Sequence, residues 1–285
     1  MKFENRQPRE GINTSREHPL KRFAIVLGSA AVLVTLLVVS LQLAGGWIAR
    51  KVPFRYEQLA LEQTDIQLGS DNASEALTAW LNQLAEKVAH GLDMPEEIEI
   101  TVHYDRDNVF NAFATIGGQL VFYRGLLSQM PNENALAMVM AHEIAHVLHR
   151  DPLAGLGGGL SSMLALTALT GQSGTGAAAS ILNQTGLLTG VQFTRSMENA
   201  ADRAALAAVN TVYGHINGAD TLFRLTGAER DDSAIPTWLE RFASTHPLDD
   251  DRVRAIRQMA DERGYASSGA LTPLPAQFKQ WLDDE

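Results

Sequence analysis

The stretch "NALAMVMAHEIAHVLHRDP" at residues 134–152 decides how the chain is read, because it sets His142, Glu143, His146 and His149 inside an apolar run. Asn132, after Pro131, can cap a helix here, Glu133 stands in its first turn, and Pro152 cannot be passed without breaking it. Each helical residue turns about 100°, so residues four apart are offset by about 40° and one turn. His142 and His146 can therefore converge on one ion, and Glu143 beside them is placed to act as a general base.

A catalytic zinc takes three protein ligands and keeps one open position, and H-E-x-x-H supplies only two of them. The sequence offers three candidates for the third. His149 is angularly aligned with His142, but seven residues at about 1.5 Å each carry it roughly 10 Å along the axis, too far to share an ion. The metzincin pattern is excluded, since His149 stands where it needs Gly and Pro152 where it needs His. His149 reads instead as a helix C-terminal residue, where exposed carbonyls favour a cationic or hydrogen-bonding side chain.

The second candidate is Glu198 in "FTRSMENAADRAALAAV", which shares a helical face with Asp202 four residues on. Glu198 can complete a two-His, one-Glu site while Asp202 accepts the outer N–H of a ligand histidine. The competing reading is an ordinary solvated face on which Arg195, Glu198 and Arg203 make exposed pairs. The third is His246 in "ASTHPLDDDRVRAI", as a ligand, a donor to the oxyanion that forms during attack, or an occupant of the open metal position at rest.

Around these motifs the 285 residues are 45% hydrophobic and 20% charged, the composition of a globular chain. Residues 1–55 hold 9 Lys/Arg against 3 Asp/Glu, so the rest of the chain is strongly acidic. An acidic body excludes a nucleic-acid partner, which needs a basic face. There is no cysteine, so a metal site must be built from His, Asp and Glu. Residues 23–49 carry no charge and would reach roughly 40 Å as a helix, enough to cross a hydrocarbon core of about 30 Å. A cleaved signal peptide would have a shorter apolar region, so this reads as a membrane anchor contacting the lipid bilayer. Six Lys/Arg precede it and three follow, which places residues 1–22 in the cytoplasm and the body outside.

Residues 50–71 then read as a linker and 72–264 as the main domain, with 265–285 a C-terminal tail. An amphipathic helix capped by Ser70 or Asp71 is expected to run to His90, burying Leu77, Trp80, Leu81, Leu84 and Val88. "EEIEITVHY" and "GQLVFY" suit strands, with "NAFATIGG" as a loop ending in a Gly-Gly turn, and the strand at 118–123 would offer an edge to an extended substrate. Residues 152–194 lack charge. They are read as small-residue helices packed on the domain, against the alternative of further membrane passes. Helices are expected at about 196–210 and 249–264.

"NAFATIGGQLVFYRGLL", "HEIAHVLHRDP", "TRSMENAAD" and "STHPLDDDRV", in this order and spacing, resemble the metallopeptidase family of HtpX, the CAAX prenyl proteases and BepA. The likeness runs from about residue 76 to 262. It implies an α+β, mostly helical zincin-like domain with a small β-sheet, behind one N-terminal transmembrane helix. It also implies one Zn2+ per chain on His142, His146 and Glu198, with Glu143 as base, Asp202 behind a ligand and His246 as a site residue. Thr194 stands where the family commonly has serine, leaving Arg195, Glu198, Ala201 and Asp202 in place. The expected protein is a periplasm-facing, bacterial inner-membrane endopeptidase acting on misfolded or misassembled envelope proteins. Zinc lowers the pKa of water towards about 7, and Glu143 accepts its proton. Two rivals stand beside this: a tethered chaperone-like protein that binds clients over a structural metal, and the same protease facing the cytoplasm.

Overall fold

The computed structural model describes residues 19–62, 67–70, 74–158, 193–227, 241–242, 244–246 and 250–284. Helix α1 (Pro19–Ala49) is exposed along its apolar length and, among the described residues, is the one helix long and apolar enough to cross a membrane. It begins four residues before the uncharged run at 23–49, because Lys21 and Arg22 continue its first turn. Residues 1–18 of the expected cytoplasmic tail, and 159–192 of the uncharged segment, lie outside the described residues.

The linker is not a bare connector. It carries α2 (Arg55–Glu62), whose buried Glu57 accepts the backbone N–H of Gly117 at 2.9 Å. Helix α3 (Glu75–Gly91) starts one turn later than Ser70 or Asp71 would place it, because Ser74 is the residue whose hydroxyl accepts the N–H of Leu77. Its apolar face is as expected: Leu77, Leu81, Leu84 and Val88 are buried and Trp80 partly so. Each fully buried leucine contributes about 1.5–3 kcal/mol.

Among the described residues the sheet has three strands, not two. β1 (Thr101–Asp105) pairs parallel with β3 (Gln119–Tyr123), and β2 (Ala112–Ala114) pairs antiparallel with β3 on its other side. β2 falls inside the segment expected as loop, because "AFA" is too short to show alternation and all three of its residues are buried. β3 is thus the central strand and has no free edge, so strand addition at 118–123 is excluded, and β2 is the sheet edge lying towards α5. The turn between β2 and β3 needs glycine. Gly118 has φ +74°, and a Cβ there would lie 1.9 Å from the carbonyl oxygen of Glu99.

After the short α4 (Arg124–Leu127) comes α5 (Glu133–Leu148), the helix of the opening stretch. Asn132 caps it by accepting the N–H of Ala135 at 2.9 Å, worth about 1 kcal/mol. Residues 134–147 are buried on every face, which is why the stretch is apolar all round and not striped. Arg150 takes the left-handed conformation (φ 62°), and the chain restarts as a second helix, α6, at residues 151–158. Pro152 thus opens a new helix.

α7 (Arg195–Tyr213) packs along α5, followed by α8 (Thr221–Gly227) and α9 (Asp250–Arg263). The last 21 residues do not form a free tail. They carry α10 (Phe278–Asp283), whose Phe278 meets Trp80 edge to face at 5.3 Å and whose Leu282 carbonyl accepts the Tyr104 hydroxyl at 2.8 Å. Two buried apolar residues, Phe278 and Leu282, hold it to the core.

Candidate metal centre

α5 presents His142 and His146 one turn apart, with ring centroids 4.7 Å and Nε2 atoms 3.1 Å from each other. α7 brings Glu198 in its first turn, behind a Thr194 cap that accepts the N–H of Met197. Glu198 Oε2 lies 3.4 Å from His142 Nε2, and its Oε1 lies 3.5 Å from His146 Nε2 and 3.1 Å from His246 Nδ1. The donor atoms of His142, His146, Glu198 and His246 all fall within 4.8 Å of one another, and all four residues are buried.

Both α5 histidines are held from behind by a carboxylate. His142 Nδ1 is 2.9 Å from Asp202 Oδ1, and His146 Nδ1 is 3.0 Å from Asp151 Oδ2. With both Nδ1–H groups donating outward, both Nε2 lone pairs point inward at each other and at the Glu198 carboxylate. Facing acceptors without a donor between them are costly when buried. A cation among them removes that cost, and an N,N,O set with a further imidazole suits zinc's tetrahedral preference. In the metal-free protein a proton takes this place. Burial alone would lower the His142 pKa, but the Asp202 and Glu198 carboxylates outweigh it and raise it to about 10.

Burial would raise the pKa of Glu198, yet the surrounding histidines, His142 foremost, hold it well below the carboxylate range. Asp202 is lowered in the same way, its burial offset by His142 and Arg252. Arg252, near the start of α9, is buried, and its Nε and Nη2 donate to the two Asp202 oxygens at 2.8 Å each. Its Nη1 lies 2.7 Å from Glu198 Oε2.

Glu143 is fully buried, with no close hydrogen bond from another side chain. Burial raises its pKa, while the charge of His246 and the backbone of Ala114 in β2 act against this. Its Oε1 is 3.4 Å from His246 Nε2. Phe193 stacks on the His146 ring at 3.9 Å and Phe242 on the His246 ring at 5.1 Å, closing the centre with aromatic walls.

Every residue singled out from the sequence therefore meets here, except His149. That residue is the C-cap of α5, outside the donor group. It stands at the helix C-terminus as expected, with its pKa lowered by burial and its Nδ1 without a hydrogen-bond partner. His246 sits with the donor atoms of His142, His146 and Glu198. Sequence reasoning missed Asp151 and Arg252. The signals were present, a carboxylate five residues after His146 at a helix break and an arginine directly following "DDD".

Residues 75–260 match peptidase family M48. A Vibrio cholerae protein named as a candidate beta-barrel assembly-enhancing protease is 32% identical over 199 residues, covering 63% of this chain and 39% of that protein. The beta-barrel assembly-enhancing protease of Escherichia coli K12 is 29% identical over 220 residues, covering 65% and 39%. The mitochondrial metalloendopeptidase OMA1 of Schizosaccharomyces pombe is 28% identical over 209 residues, covering 73% and 59%. The chain thus spans between 39% and 59% of the length of these relatives. Its matched residues enclose the buried His142, His146, Glu198 and His246 group, and the chain belongs to the M48 family of metallopeptidases.

Proposed function

We propose that the protein is a membrane-anchored zinc endopeptidase that hydrolyses peptide bonds of misfolded or misassembled envelope proteins. The carrying observation is the convergence of His142, His146 and Glu198 on one point, with the buried Glu143 carboxylate beside it. A purely structural metal has no need of Glu143, whose carboxylate is costly to bury.

His142, His146 and Glu198 would hold one Zn2+, which supplies the Lewis acidity that makes water a nucleophile near neutral pH. Glu143 takes the proton of that attacking water and delivers it to the leaving amine. Asp202 and Asp151 fix the tautomers of His142 and His146 so that Nε2 faces the ion. His246, whose donor atom lies within 4.8 Å of the other three, would be a further residue to hold the ion at rest and would have to leave it for substrate to approach. It comes from the segment around Phe242 and belongs to neither α5 nor α7. An extended substrate would pair with β2, the sheet edge beside α5, giving backbone-led and therefore broad specificity.

α1 would anchor the protein in a bacterial inner membrane, with the catalytic domain in the periplasm, as the excess of basic residues before it suggests. The named activity of the beta-barrel assembly-enhancing proteases supports envelope proteins as the substrate class.

The test uses the full chain in detergent with an unfolded protein such as casein, before and after chelation and zinc add-back. Fragments that vanish on chelation and return with zinc are expected. Clients retained uncut would favour the chaperone-like alternative. An alkaline-phosphatase fusion after Glu285 tests orientation, and an inactive fusion would place the site in the cytoplasm.

A further inference from the structure

The two ligand histidines of α5 are each backed by an aspartate, and each aspartate is in turn held by an arginine. For His142 the arginine is Arg252, within the catalytic domain. For His146 it is Arg50, the residue that follows the last turn of α1, whose Nη2 donates to Asp151 Oδ1 at 3.0 Å while Asp151 Oδ2 faces His146 Nδ1 at 3.0 Å.

Asp151 is 2% exposed, so its charge needs a partner. Arg50, itself 40% exposed, is the cation that reaches this buried carboxylate, and its contact with Oδ1 orients Asp151 so that Oδ2 faces His146. Further contacts fasten the same corner. Arg150 donates to the Val52 carbonyl, lies over the Phe54 ring at 5.3 Å and pairs with Glu57 at 2.6 Å. Glycines let the helices meet closely: a Cβ on Gly46 would lie 3.2 Å from the Ala154 carbonyl oxygen, and one on Gly157 would lie 2.8 Å from Ala49 Cβ. The end of α1 is therefore packed on α6, not tethered loosely to it.

We infer that the membrane-proximal end of α1 is part of the metal site: Arg50 positions Asp151, Asp151 positions His146, and the seating of the anchor on the catalytic domain sets how tightly the metal is held. Arg50 and Asp151 are positioning residues and touch no substrate. This rests on the metal-site reading proposed above.

The experiment measures zinc affinity by chelator competition on the full chain in bilayer nanodiscs, with the visible spectrum of the Co2+-substituted protein as a second readout. Asp151→Ala is expected to weaken zinc binding by about 10–100-fold. Arg50→Ala is expected to weaken it several-fold and shift the Co2+ bands, and Arg50→Lys to restore both. Wild-type affinity and an unchanged Co2+ spectrum in Arg50→Ala would overturn the inference while leaving the metal site standing. A wild-type chain that binds neither ion would instead overturn the metal site itself. Should Arg50→Ala fail to fold, Gly157→Val tests the same coupling by unseating α1 without touching the ion pair, and unchanged affinity there also overturns it.

Discussion

Replacing Arg252 by methionine keeps most of its volume and removes its charge from a place with no water to replace it. Arg252 is 4% exposed, Asp202 is 3% and Glu198 is 0%, so the guanidinium shares with His142 the compensation of two buried carboxylates. It forks across both oxygens of Asp202 and reaches Glu198 with its third nitrogen. Breaking a buried pair by removing one partner costs about 3–5 kcal/mol, because the remaining charge is stranded. For a domain of this size about 1 kcal/mol moves the melting temperature by about 2–4 °C, so Arg252→Met should melt about 6–20 °C below the wild type. The assay is thermal denaturation of the full chain in detergent with EDTA, followed by circular dichroism at one scan rate. Arg252→Lys should recover only part of the loss, since an ammonium cannot fork across Asp202 while also reaching Glu198. A shift smaller than about 2 °C for Arg252→Met would refute the assignment of Arg252 as the cation that sustains Asp202 and Glu198.

Glu198→Ala should lower zinc stoichiometry measured by mass spectrometry, and full occupancy would send the third ligand elsewhere. His246→Ala should retain zinc on the other three donors and raise the initial rate of casein cleavage, whereas loss of zinc would make His246 an obligatory ligand. The metal-free protein holds a proton on His142, whose pKa rises from 6.5 to about 10 on folding. The stabilisation from that proton is complete below pH 6.5 and is lost as pH rises through about 10. Zinc displaces the proton, so the gap between melting temperatures with zinc and with EDTA should widen from about pH 6.5 to about pH 9. A constant gap would contradict this.

The parts legible in the sequence were those fixed by local periodicity. His142 and His146 had to share a face, His149 had to lie too far along the axis, and Glu198 and Asp202 had to point together. The N-cap at Asn132 and the buried face of α3 followed from the same kind of evidence. What escaped was set by distant parts of the chain meeting. β2 is three residues long and exists because β3 pairs with it, and α10 is held by Trp80 and Tyr104 nearly two hundred residues earlier. Arg252 and Asp151 became visible as site residues only through the partners that α7, α9 and α1 bring to them. Spacing along one helix cannot report a partner carried by another.

The most direct test of metal-dependent peptide hydrolysis by this site is to measure zinc per chain and casein cleavage on one preparation of Glu143→Gln. Glutamine keeps the shape of Glu143 and cannot accept a proton, and Glu143 is not among the four grouped donors. About one zinc per chain is expected, as in the wild type, with cleavage reduced by about 10²–10⁴-fold. Full zinc content with unchanged cleavage would contradict this.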